Sequence, residues 1–470
     1  MTHRTGQQAN TQRRSRHRFR KDPGTGSWIR PWAGVVAALL CVSLGLVGCS
    51  DEKPRVRKAI LVSIDTLRPD FLGTYNPGLD TSPNIDQLAE RSTVFSNVLS
   101  HAPSTTISHK SALYSVYPAV HKTRRDQVPE ENVTAPVEAL RQGGFVTAAI
   151  VGGGGLAPEI GFPRGFDSYE VLPRLATGQQ LETLKKSSRS WLRAHHQDDF
   201  FLFLHMYQPH CPYSPPEKYA QRYAGWYQGD VDPVDKCGSY YNNREMSADD
   251  YRYVRDLVKG EVAYADEFIG ELLAELVRLG IDDETMIVLM SDHGDSLGER
   301  GYVGHNLLVN IQLRVPLIVH LPGTVPGRID APLELIDVMP TIFRALGQQA
   351  PYSFQGRDLV DFMEGATVPP DDRLRVANQG DMISLHKGSW HLVFDEAEEN
   401  IFLSNLHEDP EEYDNLASQH PSVVEALLAD HDHLMYGSQE LAARFVLSGS
   451  DQPILGQESI ERLRALGYIQ

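Results

Sequence analysis

Five short apolar runs constrain this chain more than any other feature: Ala59 to Ile64, Val146 to Val151, Phe200 to Met206, Thr285 to Met290 and Val315 to Leu321 are nearly unbroken. A strand with one wet face alternates apolar and polar residues, whereas runs without alternation read as strands covered on both faces of a parallel sheet. Helical patterns lie between them. Ser82 is an expected N-cap, with Pro83 at the first position of a helix running through Leu88, and a second helix is expected over Gln180 to Ala194. The longest begins at Ser247, where Asp250 completes a capping box, and stops at Gly280. Strands alternating with helices predict a doubly wound α/β domain. Ligands of such sheets bind beyond the carboxyl ends of the strands, so the chemistry is expected there.

The amino terminus does not share this pattern. Through residue 48 the chain carries +7, against −25 for the remainder and −18 overall. A basic stretch, an uncharged run from Trp32 to Gly48, and Cys49-Ser50-Asp51 follow one another in the order of a secretory signal peptide. Leu46-Val47-Gly48-Cys49 resembles a bacterial lipobox, which implies a lipoprotein-type signal peptide over 1–48, lipidation of Cys49 and a linker over 49–57. At about 17 residues the run falls short of the roughly 20 that span a bilayer, an uncleaved anchor being the alternative. Either way the protein is expected to be exported and tethered to the cell envelope membrane, facing the periplasm or the exterior, with a lipid anchor as the favoured tether. The acidic remainder argues against a nucleic-acid partner. Once Cys41 is removed and Cys49 lipidated, Cys211 and Cys237 remain; an even pair in an oxidising compartment suggests one disulfide, with two free buried thiols as the alternative.

The first run ends in Asp65-Thr66 and the fourth in Ser291-Asp292-His293-Gly294-Asp295. The third runs through His205 into Gln208-Pro209-His210-Cys211-Pro212-Tyr213. Between the first two runs stands a polar cluster from His101 to Ser111, with Ser104 as N-cap and Thr105 in the first turn of a helix. Carboxylates and imidazoles from separate strand ends suit a divalent cation, and a helix start beside them favours an anion. His205 lies inside a buried strand and reads first as a hydrogen-bonded core histidine, with metal ligation as the alternative.

These residues, in this order, resemble the sulfatase family within the alkaline phosphatase superfamily over nearly all of 57–470. The resemblance rests on Ile60-Leu61-Val62-Ser63-Ile64-Asp65-Thr66-Leu67-Arg68-Pro69-Asp70, the segment around Thr105, His210-Cys211-Pro212-Tyr213, Ser291-Asp292-His293-Gly294, Arg314 to Val319, Asp337-Val338-Met339-Pro340-Thr341, and Phe402 to Glu412. It implies a large doubly wound mixed sheet of alkaline phosphatase-like type over 58–348 and a smaller C-terminal α+β domain over 349–470. The departures are as informative. Formylglycine-dependent sulfatases carry a Cys-x-Pro-x-Arg core, and here Thr105-Thr106-Ile107-Ser108-His109 stands in its place, so no formylglycine can form. A set of Asp65, Thr105, Asp292 and His293, with His305 twelve residues beyond His293, resembles the Thr-nucleophile branches instead.

A sulfate or phosphate ester is already anionic, so attack requires its oxygens neutralised and the nucleophile deprotonated, and a divalent metal does both. The resemblance therefore implies one metal (Ca, Zn, Mn or Mg) on Asp65, Thr105, Asp292 and His293, with room for a second on the remaining histidines. Thr105 attacks, and His210, or next His109 or His305, protonates the leaving alcohol. Lys110, His121 and Arg124 are candidates for binding the anion. The expected substrate is an anionic ester of a glycan, lipid or small molecule. Two other readings stand beside hydrolysis: phosphoethanolamine-transferase-like headgroup transfer, and a catalytically silent lipoprotein that binds an anionic glycan.

Overall fold

A computed structural model describes residues 56–123, 132–173, 179–233, 236–367, 373–395 and 397–445. The signal peptide, Cys49, Arg124 and the chain after 445 lie outside them. Among the described residues no helix is long and apolar enough to cross a membrane.

All five apolar runs are strands of one sheet. Its strands begin with β1 (Lys58–Ile64), β2 (Thr93–Leu99), β3 (Val146–Val151), β4 (Ser168–Val171), β5 (Phe200–Met206) and β6 (Thr285–Met290). A two-stranded ribbon, β7 (Ser296–Leu297) and β8 (Val303–Gly304), precedes β9 (Arg314–His320), β10 (Gly327–Ile329) and β11 (Leu333–Glu334). The order is β10-β2-β9-β6-β1-β5-β3-β4, with β11 beside β2, and β6, β1, β5, β3 and β4 are parallel. The run Val315 to Leu321, read with the others as parallel, is a correction: β9 is antiparallel to both β2 and β6. Burial on both faces makes a run unbroken, and direction leaves no trace in it. In β1, Ala59 and Leu61 enter one apolar cluster while Ile60, Val62 and Ile64 enter the cluster on the other face.

Helices cover both faces. They include α1 (Pro83–Glu90), α2 (Thr105–Tyr114), α3 (Gln179–His195) and α4 (Ala248–Leu279). The capping box of α4 forms as expected, with Ser247 accepting from Asp250 N, and Gly280 ends it at φ 70°. Ser82 occupies the N-cap position of α1 but makes no capping bond. Asp266 of α4 does so across the interface, accepting from Asn84 N at 3.1 Å and Ile85 N at 2.7 Å. One buried carboxylate thus caps one helix and docks another.

The smaller C-terminal sheet is an antiparallel meander of β12 (Arg375–Gln379), β13 (Met382–Lys387), β14 (Trp390–Asp395) and β15 (Ile401–Asn405). Its core joins Leu385, Leu392 and Leu403 to Val424 and Leu427 of α5 (Pro421–Phe445), and to Tyr117 and Ile336 of the large domain.

Candidate active site

Parallel register brings the site together. Ser63 of β1 pairs with His205 of β5 and Met290 of β6, and His205 pairs with Val151 of β3, so the residues following these positions emerge side by side. Asp65 leaves β1 and Asp292 leaves β6, both buried. Thr66 turns the chain away with φ 56°, a conformation costly for a β-branched residue and of the kind found at functional sites. That turn aims its N–H at Asp292 Oδ1 (3.2 Å), which also accepts from His293 N (2.9 Å).

The remaining acceptor atoms converge. His293 Nε2 lies 3.9 Å from Asp65 Oδ1, 3.6 Å from Asp292 Oδ2 and 3.5 Å from Thr105 Oγ1. His293 Nδ1 faces Gly294 O at 3.0 Å; a carbonyl only accepts, so the proton sits on Nδ1 and Nε2 presents a lone pair. Asp65 Oδ1 and Asp292 Oδ2 are buried without a hydrogen-bond partner. Burial, then the neighbouring Asp292 and Asp295, holds Asp65 well above the usual carboxylate range. Burial also pushes Asp292 up, but the positive charge that His293, His109 and His205 carry when protonated more than offsets it and holds the carboxyl below the usual range. Two buried carboxylates and imidazole lone pairs facing one another repel unless a cation lies among them, so these residues fit a divalent metal.

Thr105 arrives on the first turn of α2, whose N-cap Ser104 makes no side-chain capping bond. The first N–H groups of this helix are therefore open to an anion. Ser108 Oγ donates to Asp292 O at 2.6 Å and locks the helix to the β6 turn. His109, one helical turn beyond Thr105, was expected among the leaving-group acids. Both its nitrogens are engaged, Nδ1 with Thr105 O (2.8 Å) and Nε2 with Ser63 Oγ (2.9 Å), and it is fully buried, so it braces α2 against β1. Lys110 and His121 are also buried; helical rotation of roughly 100° per residue turns Lys110 away from the face carrying His109. Lys110 Nζ lies 4.1 Å from the Tyr114 ring centroid, and His121 Nε2 meets Ser111 Oγ at 3.0 Å.

His210 and His305 occupy the half-buried mouth. His210 stacks on Tyr207 and meets His305 edge-on, with ring centroids 4.6 and 5.3 Å apart. His305 in turn stands 4.7 Å from His293, so three imidazoles lead outward from the centre. A disulfide joins Cys211, beside His210, to Cys237, and Asn242 holds Val303 through both backbone groups, at 2.9 Å each. Asp295, the last residue of the β6 motif, turns away, accepting from Tyr213 Oη at 2.7 Å.

Two features reach beyond the favoured sequence reading. His205, read as a core histidine, presents Nε2 unpartnered 3.7 Å from Asp65 Oδ2; burial drives its pKa down to about 3, so the ring is neutral. The loop Gly152–Gly155 packs directly on Thr105, and Thr106 Oγ1 donates to Gly155 O at 2.9 Å. Four glycines directly after a buried strand were the available signal for a close backbone approach.

A sulfatase family model matches residues 57–348. The chain is similar to choline-sulfatase of Rhizobium meliloti (strain 1021), 31% identical over 185 residues, a match spanning 38% of this chain and only 36% of that protein. It is 24% identical over 439 residues to iduronate 2-sulfatase of Homo sapiens, covering 74% of this chain and 76% of that one. The phosphonate monoester hydrolase of Agrobacterium radiobacter has a similar structure, with TM-score 0.67 at 18% identity over 80% of this chain and 95% of that chain. At that identity the likeness concerns the fold.

Proposed function

The chain belongs to the sulfatase family, and from that premise we propose that it is a metal-dependent hydrolase of sulfate or phosphate esters, acting outside the cytoplasm with Thr105 as nucleophile. The convergence of Asp65, Asp292 and His293 beside Thr105 Oγ1, with buried carboxylate oxygens left unsatisfied, carries the proposal. Asp65, Asp292, His293 and Thr105 would hold one divalent cation, which when bound neutralises the ester oxygens and lowers the pKa of a nearby hydroxyl. Thr105 gives its hydroxyl proton up to solvent and its Oγ1 attacks the sulfur or phosphorus, and the bond to the leaving oxygen breaks as the threonine ester forms. The open start of α2 holds the anion's remaining oxygens. His210, with His305 behind it, is the imidazole at the mouth and gives the leaving alcohol its proton. Water then cleaves the threonine ester, its oxygen leaving in the released sulfate or phosphate while a proton returns to Thr105 Oγ1.

The names choline-sulfatase and iduronate 2-sulfatase favour a sulfate ester, including one on a glycan, and the structural likeness to a phosphonate monoester hydrolase keeps phosphorus esters in view. Lipidation at Cys49 and display on the cell envelope membrane complete the reading. Metal analysis of the purified chain, paired with hydrolysis of aryl sulfate, aryl phosphate and phosphodiester by wild type and Thr105→Ala, tests it. Turnover is expected to fall at least about a thousandfold in the variant; activity untouched by the substitution overturns the nucleophile assignment.

A further inference from the structure

We propose that His205 is a ligand of the cation centre, and that the resulting mixed nitrogen–oxygen donor set selects a borderline transition ion of the zinc or cobalt kind over calcium. The inference rests on the metal-dependent reading above and goes beyond it by adding a residue and choosing the ion. His205 stands on β5 with no exposed surface, and its Nδ1 is bound to Gly152 O. The proton is therefore on Nδ1, and the Nε2 lone pair points inward, 3.7 Å from Asp65 Oδ2 and without a hydrogen bond. This repeats the arrangement of His293, whose Nδ1 is held by Gly294 O while Nε2 faces Asp65 Oδ1. A backbone carbonyl that fixes the tautomer and orientation of an imidazole is how metal-ligating histidines are held. Asp65 thus offers one oxygen to each histidine.

His109 is not a further ligand, although one of its nitrogens lies within 4.8 Å of the His205 and Asp292 donors. Thr105 O and Ser63 Oγ engage both of its ring nitrogens. The donor set is then two imidazole nitrogens, two carboxylates and the Thr105 hydroxyl. Neighbouring donors around an ion at about 2.1 Å are roughly 3.0–3.4 Å apart. Four of the spacings among them, 3.5 to 3.9 Å, exceed that by a few tenths of an ångström; His205 shares a group within 4.8 Å with Asp292, and Asp65 and His293 share another with the same Asp292, so one ion taking all of them draws the His205 ring toward His293. Calcium prefers about six to eight oxygens at longer distances, and half of that set is missing.

The test is spectroscopic and independent of turnover. Untagged, metal-stripped chain titrated with Co2+ is expected to develop visible d–d absorption of a mixed nitrogen–oxygen site. Stoichiometric Zn2+ should abolish those bands, and a large excess of Ca2+ should leave them. His205→Gln should change the bands and weaken Zn2+ binding at least about tenfold, whereas His407→Gln, an exposed control, should not. If His205→Gln loses its folded near-ultraviolet dichroism, the wild-type competition decides the question. Displacement of Co2+ by Ca2+ at comparable concentration, or bands and Zn2+ affinity unchanged in a folded His205→Gln, overturns the assignment while leaving metal dependence intact. Failure to bind any divalent ion overturns both.

Discussion

Thr105 is confined from behind by a residue with no side chain. A Cβ on Gly155 would lie 2.8 Å from Thr105 Cβ and 2.9 Å from its Cγ2, closer than real atoms pack. Gly155→Ala is therefore expected to push Thr105 out of line and lower kcat about a hundredfold, since misplacements of about an ångström have that effect. KM should change far less, and the melting temperature should report a stability loss of no more than about 3 kcal/mol. Steady-state kinetics and thermal unfolding of the same preparation check both. At this scale Asp65, Thr105, Asp292 and His293 were legible, because each follows an apolar run or opens a helix within a recognisable motif. His205 was not. A histidine inside a buried strand has the same local sequence whether its second nitrogen meets a carbonyl or a cation, and only Asp65 on the neighbouring strand distinguishes the two.

Elements hold the site loops through a few buried groups. Glu261 of α4 is fully buried against the loop after His210, accepting from Ser214 N at 2.9 Å. Burial pushes its pKa up to about 8, against the pull of that N–H. A carboxyl that keeps its proton when folded, but loses it near the ordinary value of about 4.3 when unfolded, makes stability fall as pH rises between those values and level off above. Glu261→Gln should remove that slope, so the variant melts higher than wild type at pH 8 and alike at pH 4. A variant whose melting curve tracks wild type across this range would refute the argument. The Cys211–Cys237 link spans 26 residues, and closing such a loop contributes about 3 kcal/mol through the unfolded chain. Denaturant unfolding of a Cys211→Ser, Cys237→Ser double variant should show a loss of that order. Strand β2 escaped the apolar-run reading because Ser96 and Asn97 interrupt it at an irregularity in the β2–β9 pairing.

Across the whole molecule, the C-terminal sheet braces two loops of the site. Asn378 N donates to His101 O at 2.9 Å just before α2, and Glu412 accepts from Asn310 N at 2.7 Å just after His305. Glu412 is itself gripped by His391, which also meets Ser384 at 2.8 Å. This gives the motif from Phe402 to Glu412 a physical role in positioning the mouth. The chain beyond residue 48 carries −25, so its long-range field repels an anionic ester, and binding must come from the local centre. Raising salt from about 0.01 to 0.1 M, which shortens the Debye length from roughly 30 to 10 Å, should lower KM or leave it flat. A KM that climbs severalfold over that range would reveal a steering positive surface instead. The sequence by itself determined five of the buried strands, the capping box that opens α4, and which carboxylates stand at strand ends, because burial and that cap are written in neighbouring residues. Tertiary structure alone decided the direction of β9, the tautomers of His205 and His293, the approach of Gly155 to Thr105 and the capping of α1 by Asp266. Each depends on a partner remote in the chain, brought near only by register and packing.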